Sequence, residues 1–212
     1  MSVSYSGCEG HGEKVNLAPG FEEPVMQSQQ VFRALLEAIS HPGCVISLEH
    51  GPKVSGLSPA ASATALALMD FETSLWCDLT AGTPAFRWLG FHCGSPMTSV
   101  TKEACIALVS RPEAMPRLDA FNLGSERQPH TSTTLILEVS RLSAGAGAGF
   151  TGPGIEKRGR LDVKGLPHGF WRHRKSLEGL FPMGVDLFLT CNETVVAIPR
   201  TTIWDEERCM LL

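Results

Sequence analysis

Three short stretches of this chain carry residue types that could hold a phosphate or attack a carbonyl. Gly147-Ala148-Gly149-Phe150-Thr151-Gly152 has the G-x-G-x-x-G spacing, in which glycines let a backbone approach a pyrophosphate. It follows a strand-like run, but Pro153-Gly154 and a charged segment come next. No apolar helical period supplies the helix N-terminus that such a loop opens into. A glycine-rich flexible loop or hairpin tip is the expectation. Ser99-Val100-Thr101-Lys102 has the S-x-x-K spacing of some acyl-transfer enzymes, and its lysine could also anchor pyridoxal phosphate. The stretch leads into a β-like run at 104–109 rather than a helix, so Lys102 is expected as an exposed lysine at a strand edge. Pro199-Arg200-Thr201-Thr202 stands where a strand ends, and one guanidinium with two hydroxyls suits a phosphorylated ligand. The same arginine could instead pair with a carboxylate such as Asp186. The basic cluster Arg172, His173, Arg174, Lys175 could bind phosphate or a partner's acidic face, or form a solvated helix face. His92-Cys93 and His168 with His173 are close pairs without the company a metal site needs, so no metal site is expected.

The elements that must position these residues alternate. Phe32, Leu35, Leu36 and Ile39 follow helical spacing up to Pro42-Gly43. The segment 44–48 favours a strand, and Ser58-Pro59 reads as an N-cap with proline at the first helical position, opening an alanine-rich helix to Met69. Leu75-Trp76-Cys77 predicts a strand, 84–89 a short helix, 104–109 a buried strand, 113–121 another short helix and 133–139 a clear strand. Residues 171–180 are helix-compatible. Asn192-Glu193 offers a tight turn between strands at 185–191 and 195–198. Alternation followed by a hairpin predicts an α/β domain, a mixed sheet covered by helices on both faces.

The whole chain bounds the reading. Its 212 residues, 43% apolar and 19% charged, suit one packed domain over 25–204, with a loose arm at 1–24 and a tail at 205–212. The longest apolar runs fall far short of a membrane span, and residues 1–12 lack the pattern of a secretory signal, so a cytosolic protein is expected. A net charge of −4 speaks against a nucleic-acid-coating protein. The seven cysteines, odd in number and without paired spacing, are expected as reduced core thiols.

The segment Phe181-Pro182-Met183-Gly184-Val185-Asp186-Leu187-Phe188-Leu189-Thr190-Cys191, followed by Ala197-Ile198-Pro199-Arg200-Thr201-Thr202, resembles the C-terminal signature of the PhnH family, F-P-x-G-x-D-x-x-L-T-C and then A-I-P-R-T-T. Phe32-Arg33-Ala34-Leu35-Leu36 through Ser40-His41-Pro42-Gly43 resembles the family's opening motif. Thr134-Leu135-Ile136-Leu137 with Thr151-Gly152-Pro153-Gly154-Ile155 resembles its T-L-I-L and T-G-P-G-I pair. The likeness runs from about Gln27 to Thr202, and is weak at 145–149 and 156–178. It implies a single-domain three-layer α/β/α fold with a mixed sheet, related to the large domain of PLP-dependent transferases but lacking the PLP site. It also implies a homodimer that joins PhnG, PhnI and PhnJ in the bacterial carbon-phosphorus lyase core complex. There, with PhnG, PhnI and PhnL, the family is needed to move the ribose triphosphate of ATP onto a phosphonate with loss of adenine. No catalytic residue, cofactor or metal is carried over. The motif positions Gly152, Pro153, Gly154, Ile155, Asp186, Arg200, Thr201 and Thr202 become a candidate ligand or interface surface. The contrasting expectation is a free-standing enzyme using a dinucleotide at 147–152 or PLP at Lys102.

Overall fold

A computed structural model describes residues 17–205; Cys8, Cys209, the first part of the expected arm, the residues read for a secretory signal, and the tail beyond Asp205 lie outside them. The central sheet has six strands. β1 (Ile46–Ser47), β2 (Leu75–Cys77), β3 (Ile106–Val109), β4 (Thr134–Glu138), β7 (Asp186–Cys191) and β8 (Thr194–Ile198) lie in the order β1-β8-β7-β4-β3-β2. β2, β3, β4 and β7 run parallel, while β7–β8 and β8–β1 are antiparallel. The β7–β8 hairpin turns at Asn192, whose φ of 52° is a left-handed value that asparagine tolerates. The mixed α/β architecture thus follows the alternation in the sequence.

Side-chain alternation divides the core in two. Ile106, Leu108, Ile136, Phe188, Val195 and Ala197 face one side, where they meet α1 (Pro24–Ser40), α2 (Pro59–Leu68) and α3 (Pro84–His92). Ala107, Val109, Leu135, Leu137, Leu187, Leu189, Val196 and Ile198 face the other. Burial on both faces explains why β3 is apolar at every position. α2 starts as its residues dictate: Ser58 Oγ accepts from Ala61 N at 3.2 Å, with Pro59 in the first turn, and residues 60–65 are all buried.

The second face departs from expectation. Its cover is largely a three-stranded antiparallel sheet, β5 (Arg141–Thr151), β6 (Gly159–Lys164) and β9 (Ile203–Asp205) in the order β6-β5-β9, together with the seven-residue α4 (Phe170–Ser176). Residues 113–121 form two 3-10 turns, at Pro112–Ala114 and Leu118–Ala120, rather than a helix. The proline at 116 separates them, because it offers no N–H to a continuing helix. The glycine tract expected as a loop lies inside β5: Ala148 and Gly149 pair with β6, while residues 145–147 bulge out of the ladder between Ala144 and Ala148. Glycine's low strand preference hid this strand, which is held by its two neighbours rather than by its own propensity.

α1 also differs in its facing. Of the four apolar residues whose spacing marks it, only Leu35 is buried; Val31 and Ala38 join it, while Phe32, Leu36 and Ile39 remain 44%, 49% and 39% exposed. The apolar stripe is wider than one packing face, and periodicity alone does not say which edge of it meets the sheet. Leu17, Ala18 and Phe21, within the expected arm, pack on the first core, and Trp88 Nε1 donates to Pro19 O at 3.3 Å.

Candidate functional site

The motif residues converge although they are far apart in sequence. Asp186 opens β7 and Arg200 follows β8, so the hairpin brings them side by side. The Asp186 carboxylate accepts from Arg200 N at 2.8 Å, from Nε at 3.2 Å, and from one terminal guanidinium nitrogen. That nitrogen also donates to Ser132 Oγ at 2.5 Å, and the other terminal nitrogen donates to Pro129 O at 2.7 Å and Pro182 O at 3.4 Å. A guanidinium has five N–H donors, and all five are accounted for within the fold. The Arg200 and Asp186 side chains are 16% and 25% exposed.

A second arginine secures the same segment from the opposite side. Arg174, on α4, is buried, and its guanidinium donates to Thr202 O at 3.0 Å and Pro199 O at 2.5 Å. Burial depresses its pKa, opposed by the negative charges of Glu178 and Asp186. Glu178 lies 3.9 Å from it and accepts from Trp204 N at 2.8 Å, which ties α4 to β9. The two arginines therefore fix the corner at 199–202, where the chain leaves the large sheet for the small one.

The 152–155 turn closes the corner. Gly152 has φ 141°, and a Cβ there would meet Thr201 O at 3.0 Å; Gly154 has φ 79°, and a Cβ there would collide with Ser40 O at the end of α1. Gly43 N donates to Ala197 O at 3.2 Å, joining the end of α1 to β8. Thus the end of α1, the 152–155 turn, the start of β7 and the segment after β8 form one knot. Pro153 and Gly154 are exposed, Thr201 is half-buried and Thr202 is buried. Every Arg200 donor is engaged, so a phosphate bound there would have to displace an existing hydrogen bond, whereas Arg174 Nε is buried and meets no hydrogen-bond acceptor among the described residues.

The sequence pattern of the bacterial phosphonate metabolism protein (PhnH) family matches residues 19–205, nearly the whole of the described chain. The chain belongs to the PhnH family. It is 35% identical over 190 residues, 88% of this chain and 94% of the relative, to the alpha-D-ribose 1-methylphosphonate 5-triphosphate synthase subunit PhnH of Rhizobium meliloti (strain 1021). It is 34% identical over 178 residues, 83% of this chain and 85% of the relative, to the putative C-P lyase subunit protein HtxG of Stutzerimonas stutzeri. Of the PhnH-like stretches, the end of α1, the 152–155 turn, Asp186 and the 199–202 segment meet in the knot, whereas residues 32–36 lie within α1 and 134–137 within β4.

Other sequence-level candidates land elsewhere. Lys102 is not on a strand edge; it sits in a 3-10 turn, Thr101–Glu103, and its Nζ donates to Asp119 O at 2.7 Å and Phe121 O at 2.6 Å. Its ammonium fastens the 118–121 turn. Glycines 147, 149 and 152 lie in and just past the paired strand β5, with no helix following them to point amides at a pyrophosphate. The basic cluster of α4 does not form a uniformly solvated face: Arg174 turns inward, His173 Nε2 lies 3.6 Å from Asp119, and Lys175 Nζ stands 5.7 Å over the Trp204 ring. Among the described residues no group of three or more His, Cys, Asp and Glu could hold a metal ion. No helix among them is long and apolar enough to cross a membrane.

The cysteines divide by exposure rather than forming a set of core thiols. Cys93 is buried, and burial pushes its thiol up to about 12; Cys77 is raised as well, by burial foremost. Cys44 and Cys105 are exposed, and Cys191 is intermediate.

Two features escaped sequence reasoning. Arg174 was one basic residue among four, and its spacing of four from Glu178 was the available signal for a partnered, inward side chain. Glu138, at the end of β4, accepts a hydrogen bond from Ser58 N at the start of α2. Burial, foremost, raises its pKa, with the hydrogen bond from Ser58 acting in the opposite direction.

Proposed function

We propose that this chain is a non-catalytic or ligand-binding subunit of a cytosolic carbon-phosphorus lyase core complex. In that role it pairs with a second copy of itself, joins PhnG, PhnI and PhnJ, and is needed for transfer of ribose triphosphate from ATP to an alkylphosphonate with loss of adenine. Its relatives named as synthase and C-P lyase subunits support the complex. The observation that carries the subunit role is a hollow of about 350 Å³ beside the exposed edge of α1. Phe32, Leu36 and Ile39 line it with Leu68, Ile106 and Phe188.

Among the described residues the lining contains no Lys, Arg, Asp or Glu. The rest of the lining is Thr73, Cys105, His130, Thr131, Ser132 and Thr134 beside Leu35, and a mainly apolar patch of this kind can oppose its own copy with little repulsion, as a two-fold contact requires. The second copy is therefore assigned to this hollow. In the knot, Gly152–Ile155, Asp186 and Arg200–Thr202 serve chiefly to fasten the fold, and the exposed Pro153-Gly154 turn is left as their contribution to an interface. The relationship to the large domain of PLP-dependent transferases belongs to the same reading. Four parallel strands with helices on one face support it, as does a Lys102 ammonium already committed to backbone carbonyls.

Size-exclusion chromatography with light scattering tests the pairing. Wild type is expected as a dimer and Leu36→Glu as a folded monomer, since a charge at a half-exposed helix position alters monomer stability by only about 0.5 kcal/mol. A monomeric wild type, or a dimer unaffected by the substitution, would refute the assignment of the hollow. Co-purification of a tagged copy with co-expressed core subunits tests membership in the complex separately.

A further inference from the structure

The Asp186–Arg200 pair stands behind the hollow beside α1. Asp186 is the partner of Thr134 in the β4–β7 register, and Thr134 lines the hollow. So do His130, Thr131 and Ser132, in the segment that leads into β4. His130 and Thr131 are exposed while Ser132 is buried, so the segment forms a rim whose inner end is rooted in the fold.

Arg200 does much of the rooting, although it is not itself in the lining. One terminal guanidinium nitrogen donates to Pro129 O at 2.7 Å, and the other donates to Ser132 Oγ at 2.5 Å and to Asp186. The two acceptors on the rim bracket His130 and Thr131, so the fork grips it at both ends. The rim's own backbone bonds are long: Thr131 N reaches Gln128 O at 3.3 Å and Ser132 N reaches Pro129 O at 3.4 Å. A three-residue 3-10 turn, Pro129–Thr131, has poor hydrogen-bond geometry by nature, and Asn122 Nδ2, donating to Thr131 O at 2.9 Å, steadies its middle.

We infer that Arg200 is a positioning residue of the pairing surface: held by Asp186, its guanidinium sets the 130–132 rim against which a second copy of this chain packs. The inference rests on the assignment of the second copy to the hollow. A rim fixed before association spares the dimer the ordering of those side chains. The fork matters as well as the charge. Lysine would keep a cation beside Asp186, but as a point charge on a flexible stem it does not hold two acceptors in fixed geometry.

The dimer dissociation constant tests this on the full chain, measured by dilution in analytical ultracentrifugation at a temperature where circular dichroism shows each variant folded. Arg200→Lys should weaken pairing by about tenfold. Ser132→Ala, a smaller change that keeps the test valid should the arginine variant fail to fold, should weaken it by about threefold. Arg174→Gln is the control. Arg174 donates to the Thr202 and Pro199 carbonyls, neither of them in the hollow's lining, so its variant should lower the melting temperature and leave the dissociation constant unchanged. A dimer that Leu36→Glu dissociates but folded Arg200→Lys leaves unchanged would overturn the role of Arg200 alone, as would an unchanged dimer in Ser132→Ala where the lysine variant does not fold. Equal weakening in Arg174→Gln would overturn it too, by reducing the effect to lost stability. A monomeric wild type, or a dimer indifferent to Leu36→Glu, would remove the hollow and this role together.

Discussion

Replacing Arg200 by alanine separates a fastening role from a ligand role. The side chain makes six hydrogen-bonding contacts within the fold, two of its nitrogens serving Asp186, and both side chains are mostly buried. Alanine would leave Asp186 with the Arg200 backbone N–H, would strand the Ser132 hydroxyl and the Pro182 carbonyl, and would leave the Pro129 carbonyl with only Ser132 N at 3.4 Å. Breaking a buried pair by removing one partner costs ~3–5 kcal/mol, and the residual exposure of this pair brings the expected loss to about 3 kcal/mol. For a domain of this size that lowers the melting temperature by roughly 6–12 °C. Urea denaturation should show a lower midpoint with an unchanged slope. A cycle with Asp186→Ala should return a coupling energy of about 1–3 kcal/mol, because the second substitution removes the carboxylate that the first leaves uncompensated. A loss below about 1 kcal/mol would refute the reasoning, since a guanidinium kept for a ligand leaves stability nearly untouched when it is removed.

Gly154→Ala should cost roughly 2–4 kcal/mol by thermal melt, whereas Gly43→Ala, also at positive φ but with open space around it, should cost only about 1 kcal/mol; equal losses would mean that the contact with Ser40 is immaterial. The raised pKa of Glu138 means that the folded chain binds its proton more readily than the unfolded chain. Its contribution to stability is therefore fully present below the ordinary carboxyl pKa and lost as pH rises through the folded value. Relative to wild type, Glu138→Gln should accordingly be more stable at pH 8 than at pH 4.5 by urea denaturation, and a flat or opposite difference would contradict the burial argument. Alkylation followed by mass spectrometry should label Cys44 and Cys105 well before Cys93, whose thiolate is disfavoured by burial. Cys105 lines the hollow beside α1, so dimerisation should slow its labelling and leave that of Cys44 unchanged.

The sequence by itself determined the mixed α/β core, the terminal hairpin, the N-cap of α2 and membership in the family. Each rests on local signals: unbroken apolar runs, an asparagine at a two-residue turn, serine before proline, and long ungapped motifs. It also offered Asp186 as a partner for Arg200, but left that pairing level with a ligand role, because a guanidinium suits a carboxylate and a phosphate alike. Only the tertiary structure decided how the arginine donors are spent, since Pro129, Ser132 and Pro182 reach Arg200 from far along the chain. The glycine-rich β5 likewise became a strand through its pairing with β6 and β9, against its own propensity. The exposed edge of α1 shows the same limit: 3.6-residue periodicity marks an apolar stripe, but which side of it is buried depends on how the helix rolls onto the sheet. The local code is short-ranged, while burial and hydrogen-bond satisfaction are properties of the assembled fold.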